Sequence, residues 1–232
     1  MKSPFSGGSF GTSEQIKQSI KLLNQLLDYG IEGFGPICGA KKLAEGYTVN
    51  ADHKNKLASI EALIKKEELK NFTSGFLTSV GGIITLPVTI PASIGINWIL
   101  QIRMVAAMAY IGGFDIDEPG VRITIALCIL GKKGKEIINA HPSEIAGLLQ
   151  TGGITHFPRN TILILNQTIA MRLMRVATQK GFTRLSKAIP LLGGLVGGAL
   201  DYHSCHETSQ FAKELFQFEL TNEDEISSIS DK

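Results

Sequence analysis

The sequence predicts an all-α fold, a single-domain helical bundle in which two charge-poor, glycine-rich apolar hairpins pack together. The first observation is spacing. Ile16, Ile20, Leu23 and Leu27 form one apolar stripe, and Leu57, Ile60, Leu63 and Ile64 another, each with the period of a helix face. The second is composition. The 232 residues are 44% hydrophobic but only 7% aromatic, with 25 glycines, so close backbone approach rather than large rings fills much of the interior. The third is the stretch Asn71–Phe114, in which Arg103 is the only charged side chain. It is longer than the ~20 apolar residues a membrane helix needs. Gly81, Gly82, Pro87 and Pro91 nevertheless divide it into two pieces around a turn. It reads as a hairpin, either buried in protein or entering a membrane.

Residues 1–11 are rich in Gly and Ser and read as a disordered tail; the helical domain is expected over 12–220. Thr12 and Gln15 have the spacing of a capping box that opens the first helix, and Gly30 is its expected stop. A short helix is predicted over about Ala40–Tyr47 and a longer one over about Asp52–Phe72. The lysines of that longer helix (Lys54, Lys56, Lys65, Lys66 and Lys70) make its solvated face. From Gly75 to Pro87 the chain reads as a short helix or a buried extended piece. Pro91 then opens a helix to about Ile111 that is apolar almost all round, as in the interior of a protein or a membrane. Gly112 and Gly113 end it.

After a turn, Asp117 is the expected N-cap and Pro119 the first turn of the next helix, although VRITIALCIL also fits a buried strand. Short basic and amphipathic pieces follow from Gly131 to Gly153, and then a helix over about Asn160–Gln179. In IPLLGGLVGGALD, Gly193 and Gly197, and Gly194 and Gly198, are four residues apart. On a helix that spacing clears a strip for another backbone, so these four, with Gly81 and Gly82, are the expected helix-packing glycines. Residues 221–232 form an acidic, Ser-rich tail with too little apolar content to pack.

Charge and motifs narrow the function classes. The net charge is +2; residues 219–232 hold five acids and one lysine, which leaves +6 on the body. That is too modest and dispersed for a nucleic-acid module, but it suits a protein beside an anionic membrane face. Cys38, Cys128 and Cys205 are far apart and lack CxxC spacing, so free thiols in a reducing cytoplasm are expected. No secretory leader is read in the first residues. The sequence has no HExxH or GxxxxGK[ST] motif, and no catalytic residue or cofactor is assigned. His203 and His206, with Cys205 between them, are the nearest thing to a metal site, but zinc needs one or two more ligands. Arg103 is the sharper signal, because a guanidinium in an apolar helix needs a carboxylate. Asp201, at the end of LVGGALD, is the expected partner in a structural ion pair, with Asp115 and Asp117 as alternatives.

The segments SGFLTSVGGIITLPVTIPA, LQIRMVAAMAYIGGFDIDEPGVR, LNQTIAMRLM and KAIPLLGGLVGGALDYHSCHETSQFAKELF resemble, in order and spacing, the EcsC protein family. The likeness runs from about Gly33 to Phe216. It departs from the family's pattern at His203, Cys205 and His206, where members commonly carry small hydroxyl or apolar residues. The resemblance implies a mainly helical fold and no established reaction. The family takes its name from a protein encoded beside an ABC transporter linked to secretion. Two functions are therefore expected to compete. One is a non-enzymatic protein at the cytoplasmic membrane face, peripheral or partly inserted, that supports a transporter or envelope process. The other is a soluble helical protein that holds a lipid or other apolar ligand between the hairpins.

Overall fold

The computed structural model describes residues 12–35, 37–48, 56–80, 92–140, 145, 157–185 and 190–218, with side chains over 12–35, 37–48, 56–69, 96–140, 145, 157–176, 199 and 201–218. The tails expected at 1–11 and 221–232, Gly81, Gly82, Pro87 and Pro91 lie outside these residues.

The described residues form eight helices: α1 (Ser13–Glu32), α2 (Ala40–Thr48), α3 (Lys56–Val80), α4 (Ala92–Gly112), α5 (Pro119–Cys128), α6 (Lys132–Ala140), α7 (Arg159–Leu185) and α8 (Pro190–Phe216). The only strands among them are Gly33–Phe34 and Ile37–Cys38, an antiparallel pair that turns the chain from α1 into α2. The all-α prediction holds, and VRITIALCIL lies largely within α5 rather than in a strand.

Helix α4 is the core. Every residue from Gln101 to Ala109 is buried, and α1, α2, α3, α5, α7 and α8 all pack on it. A helix with no solvated face has to be enclosed in this way, since each leucine- or isoleucine-sized side chain contributes about 1.5–3 kcal/mol when removed from water. Trp98, Ile99, Ile102, Met104, Val105 and Met108 join Leu23, Leu26 and Leu27 of α1 and Leu63 of α3 in one apolar cluster.

Helix ends show where local chemistry decided. The capping box is present: Gln15 N–H donates to Thr12 Oγ1 at 3.4 Å and Thr12 N–H to Gln15 Oε1 at 3.0 Å. Gly30 is not the stop. The helix continues to Glu32, and Gly33 ends it with φ +104°, a conformation that glycine adopts without strain. Gly30 instead meets α4, where an added Cβ would lie 2.4 Å from Ile102 Cγ2. At α5 the N-cap is Glu118, without a side-chain cap bond, and Pro119 fills the first turn as expected. Helix α3 runs on through Gly75 to Val80, and α7 starts at Arg159 and ends at Leu185, six residues beyond the predicted end.

Helix directions follow from the side-chain pairs. Lys213 reaches Glu61 and His206 reaches Glu68, so α8 and α3 run antiparallel. Asn97 reaches Asp201, Thr208 reaches Gln101, and Phe114 meets Phe216, so α8 and α4 run parallel. The C-terminal end of α3 and the N-terminal ends of α4 and α8 therefore share one end of the bundle. Helix α7 finishes at Leu185, close in sequence to Pro190, where α8 begins.

Candidate functional site

A polar layer crosses the apolar core where α3, α4 and α8 meet. Glu67 and Glu68 come from α3, Asn97, Gln101 and Arg103 from α4, and Asp201, Ser204, His206, Thr208 and Ser209 from α8. Burying such groups costs several kcal/mol each unless they are hydrogen-bonded, and most of them are. Gln101, fully buried, donates to Asn97 Oδ1 at 2.6 Å and to Ser204 Oγ at 3.2 Å, and it accepts from Thr208 Oγ1 at 2.8 Å. One glutamine thus ties two helices together.

Arg103 does not pair with Asp201. Its Nη2 reaches Glu67 Oε2 at 2.5 Å, with Arg103 only 6% exposed and Glu67 fully buried. Asp201, itself buried, accepts from Asn97 Nδ2 at 2.6 Å on the other side of α4. The reason is angular. Asn97 and Gln101 share the face turned to α8, whereas Arg103 projects from nearly the opposite side, where α3 supplies a carboxylate. The alternatives fail as well: Asp117 holds Lys41 at 2.8 Å, and Asp115 Oδ1 accepts from the backbone N–H of Asp117. The bond to Asp117, followed by its charge, keeps the Lys41 ammonium above its ordinary range.

Glu67 and Glu68 were hidden in the charged run KKEELK, which reads as solvated. The usable signal was the stripe itself: Ile60, Leu63, Ile64 and Glu67 continue one three- to four-residue period, which carries Glu67 into the core with them. Tyr47, at the end of α2, also reaches this layer. Burial pushes its phenol up, and Glu67 adds to the shift while Arg103 opposes it. Tyr47 OH and Arg103 Nε are buried and have no hydrogen-bond partner among the described residues.

The residues considered for metal binding diverge. Cys205 is buried with Sγ 3.7 Å from Met104 Sδ, and burial, reinforced by Glu68, Glu67 and Asp201, pushes its thiol up. His203 is exposed, with Nε2 3.6 Å from Glu207, and His206 turns to Glu68. Among the described residues no three His, Cys, Asp or Glu side chains are grouped to hold a metal. Gly193, Gly194, Gly197 and Gly198 all lie in the first turns of α8; their side-chain surroundings lie outside the described residues. Helix α8 packs most extensively on α3 and also on α4. A separate open cleft of 670 Å³ lies between the strand pair and the start of α2, bordered by Cys38, Lys41, Lys42 and Asp117.

A central apolar helix, packed against six others and crossed by one hydrogen-bonded polar layer, defines a single-domain all-α protein. A model of the EcsC protein family matches residues 13–218, and the chain belongs to that family. Comparison with curated proteins and with solved structures gives no match.

Proposed function

We propose that this protein binds rather than catalyses, docking on an anionic membrane face and there supporting a transporter or envelope process. The observation that carries the reading is the charge pattern of the stretches to which one end of the α3, α4 and α8 bundle belongs. Residues 71–95 and 177–200 include no acid and three bases, Lys180, Arg184 and Lys187. The C-terminal end of α3 and the N-terminal ends of α4 and α8, which belong to these stretches, lie at the same end of the bundle. Apolar sequence that carries bases and no acids suits the boundary between lipid headgroups and chains, where apolar burial and anionic lipid both contribute. Among the described residues no helix is long and apolar enough to cross a membrane, which favours docking over spanning in this proposal.

Flotation with vesicles tests it. The purified chain is expected to float with phosphatidylglycerol-containing vesicles, weakly with pure phosphatidylcholine, and to leave the membrane in part under carbonate. A chain that stays at the bottom of the gradient with every composition at low salt would refute docking. If organic extraction of that unbound protein then yields a bound lipid, the apolar-ligand reading replaces it.

A further inference from the structure

Toward the end of the bundle shared by the C-terminal end of α3 and the N-terminal end of α8, acids and bases are sorted between inside and outside. Over residues 62–69 and 201–206 all three acids are buried, Glu67 fully and Glu68 and Asp201 to 7% exposure. Each is held by the polar layer: Glu67 by Arg103, Glu68 by His206 and Ser209, and Asp201 by Asn97. Acidic side chains are seldom enclosed to this degree. Exposed over the same residues are Lys65, Lys66 and Leu69 of α3, and Tyr202, His203 and His206 of α8. Leu69, at 62% exposure, and Tyr202, at 43%, are two of the four large apolar side chains that stand exposed among the described residues. They belong to one seam. The Tyr202 ring stacks on His206, whose Nδ1 is 2.8 Å from Glu68, the neighbour of Leu69. Each also adjoins a charge-poor stretch, Leu69 just before residue 71 and Tyr202 just after residue 200. The nearest outer acids are engaged: Glu61, about 12 Å back along α3 from Leu69, pairs with Lys213, and Glu207 faces Lys132 and His203.

We propose that this outer face of the α3–α8 pair is itself part of a membrane contact, with an anionic bilayer as its partner. The inference rests on the docking reading and carries it from the charge-poor stretches onto described side chains of the bundle. Leucine and tyrosine suit the interfacial layer for different reasons. Leucine gains by leaving water, whereas tyrosine keeps its hydroxyl among headgroups while its ring is covered. Lys65, one turn before Leu69, lays its stem along apolar surface and leaves its ammonium at the phosphates. An exposed carboxylate here would oppose an anionic surface, and the burial of Glu67, Glu68 and Asp201 removes three of them.

Partitioning of the full chain into phosphatidylglycerol-containing and pure phosphatidylcholine vesicles tests the contact. Leu69→Ser combined with Tyr202→Ser is expected to weaken partitioning into both by on the order of 10-fold, the loss of about one well-covered apolar side chain. Lys65→Gln should cost about 5-fold on the phosphatidylglycerol vesicles alone. Leu163→Ser, which removes a comparably exposed leucine of α7, should change neither. A second measurement needs no loss of binding. Trp98 is buried and is the chain's only tryptophan, so the indole added by Leu69→Trp reports its own surroundings. Its emission should shift to the blue with vesicles and be quenched by brominated lipid, whereas that of Leu163→Trp should not. If the wild type binds vesicles and the Leu69 and Tyr202 variant binds equally well, or if brominated lipid leaves the added indole unquenched, this contact is overturned and docking stands. A wild type that binds no vesicle would refute docking, and this inference with it.

Discussion

Arg103 and Glu67 each make the other tolerable in the core. Removing one strands the other charge at a cost of roughly 3–5 kcal/mol, whereas removing both leaves no orphaned ion. Arg103→Ala and Glu67→Ala should each lower stability by about that amount in urea titrations, and the double variant should fall well short of their sum. Additive losses would show that the two charges are not coupled. The buried thiols allow a second prediction at the same scale. Burial pushes Cys128 and Cys205 well above the ordinary value of 9.0, so above that pH the unfolded chain loses thiol protons that the folded chain keeps. Stability must then fall as pH rises past about 9, by up to ~1.4 kcal/mol per thiol per pH unit. Cys128→Ala and Cys205→Ala should each flatten that alkaline slope, and equal slopes in wild type and variants would exclude the mechanism. The need of Arg103 for a carboxylate was legible in the sequence because a charge among apolar residues is conspicuous. Which carboxylate answered was not legible, because Glu67 looks like one more member of a solvated run until its register with Ile60 and Leu63 is traced.

Helices α1 and α4 cross where Gly30 meets Ile102, and this contact governs how closely the first helix approaches the core. A Cβ at position 30 would fall 2.4 Å from Ile102 Cγ2 and 3.1 Å from the backbone nitrogen of Arg103. Gly30→Ala gains helix propensity, but the overpacking should dominate, for a net loss of about 1–3 kcal/mol. Thermal unfolding of Gly30→Ala alone and with Ile102→Ala checks the cause. Space freed at 102 should relieve part of the damage, and a Gly30→Ala protein as stable as wild type would place the helices farther apart. Gly30 was read as a helix stop because glycine serves both ends and close contacts, and the sequence does not say which until the partner helix is known. The Pro91–Ile111 helix was legible to within a residue at each end, since no other arrangement buries an apolar run of that length. The extension of α3 through Gly75 was not, because a glycine costing about 1 kcal/mol locally can be offset by packing along α8 that only the tertiary fold supplies.

At the scale of the whole molecule, charge is distributed by position rather than by amount. Ion pairs such as Lys213–Glu61, Arg122–Asp28 and Lys132–Glu207 balance the described surface, while residues 71–95 and 177–200 carry bases without acids. If these stretches dock on membranes as proposed, their affinity separates into an apolar part common to all bilayers and an electrostatic part owed to Lys180, Arg184 and Lys187. Each base near an anionic surface contributes about 1 kcal/mol. The three together amount to ~3 kcal/mol, or on the order of 100-fold in partitioning. Replacing all three with glutamine should therefore remove most of the preference for phosphatidylglycerol vesicles while leaving binding to phosphatidylcholine unchanged. Raising salt should do the same to the wild type, because exposed charges are screened beyond about 8–10 Å at physiological ionic strength. A triple variant that keeps its anionic preference at low salt would show that the contact lies elsewhere on the bundle. One that loses binding to both vesicle types would show that the substitutions had disturbed the fold, which its circular dichroism spectrum would register.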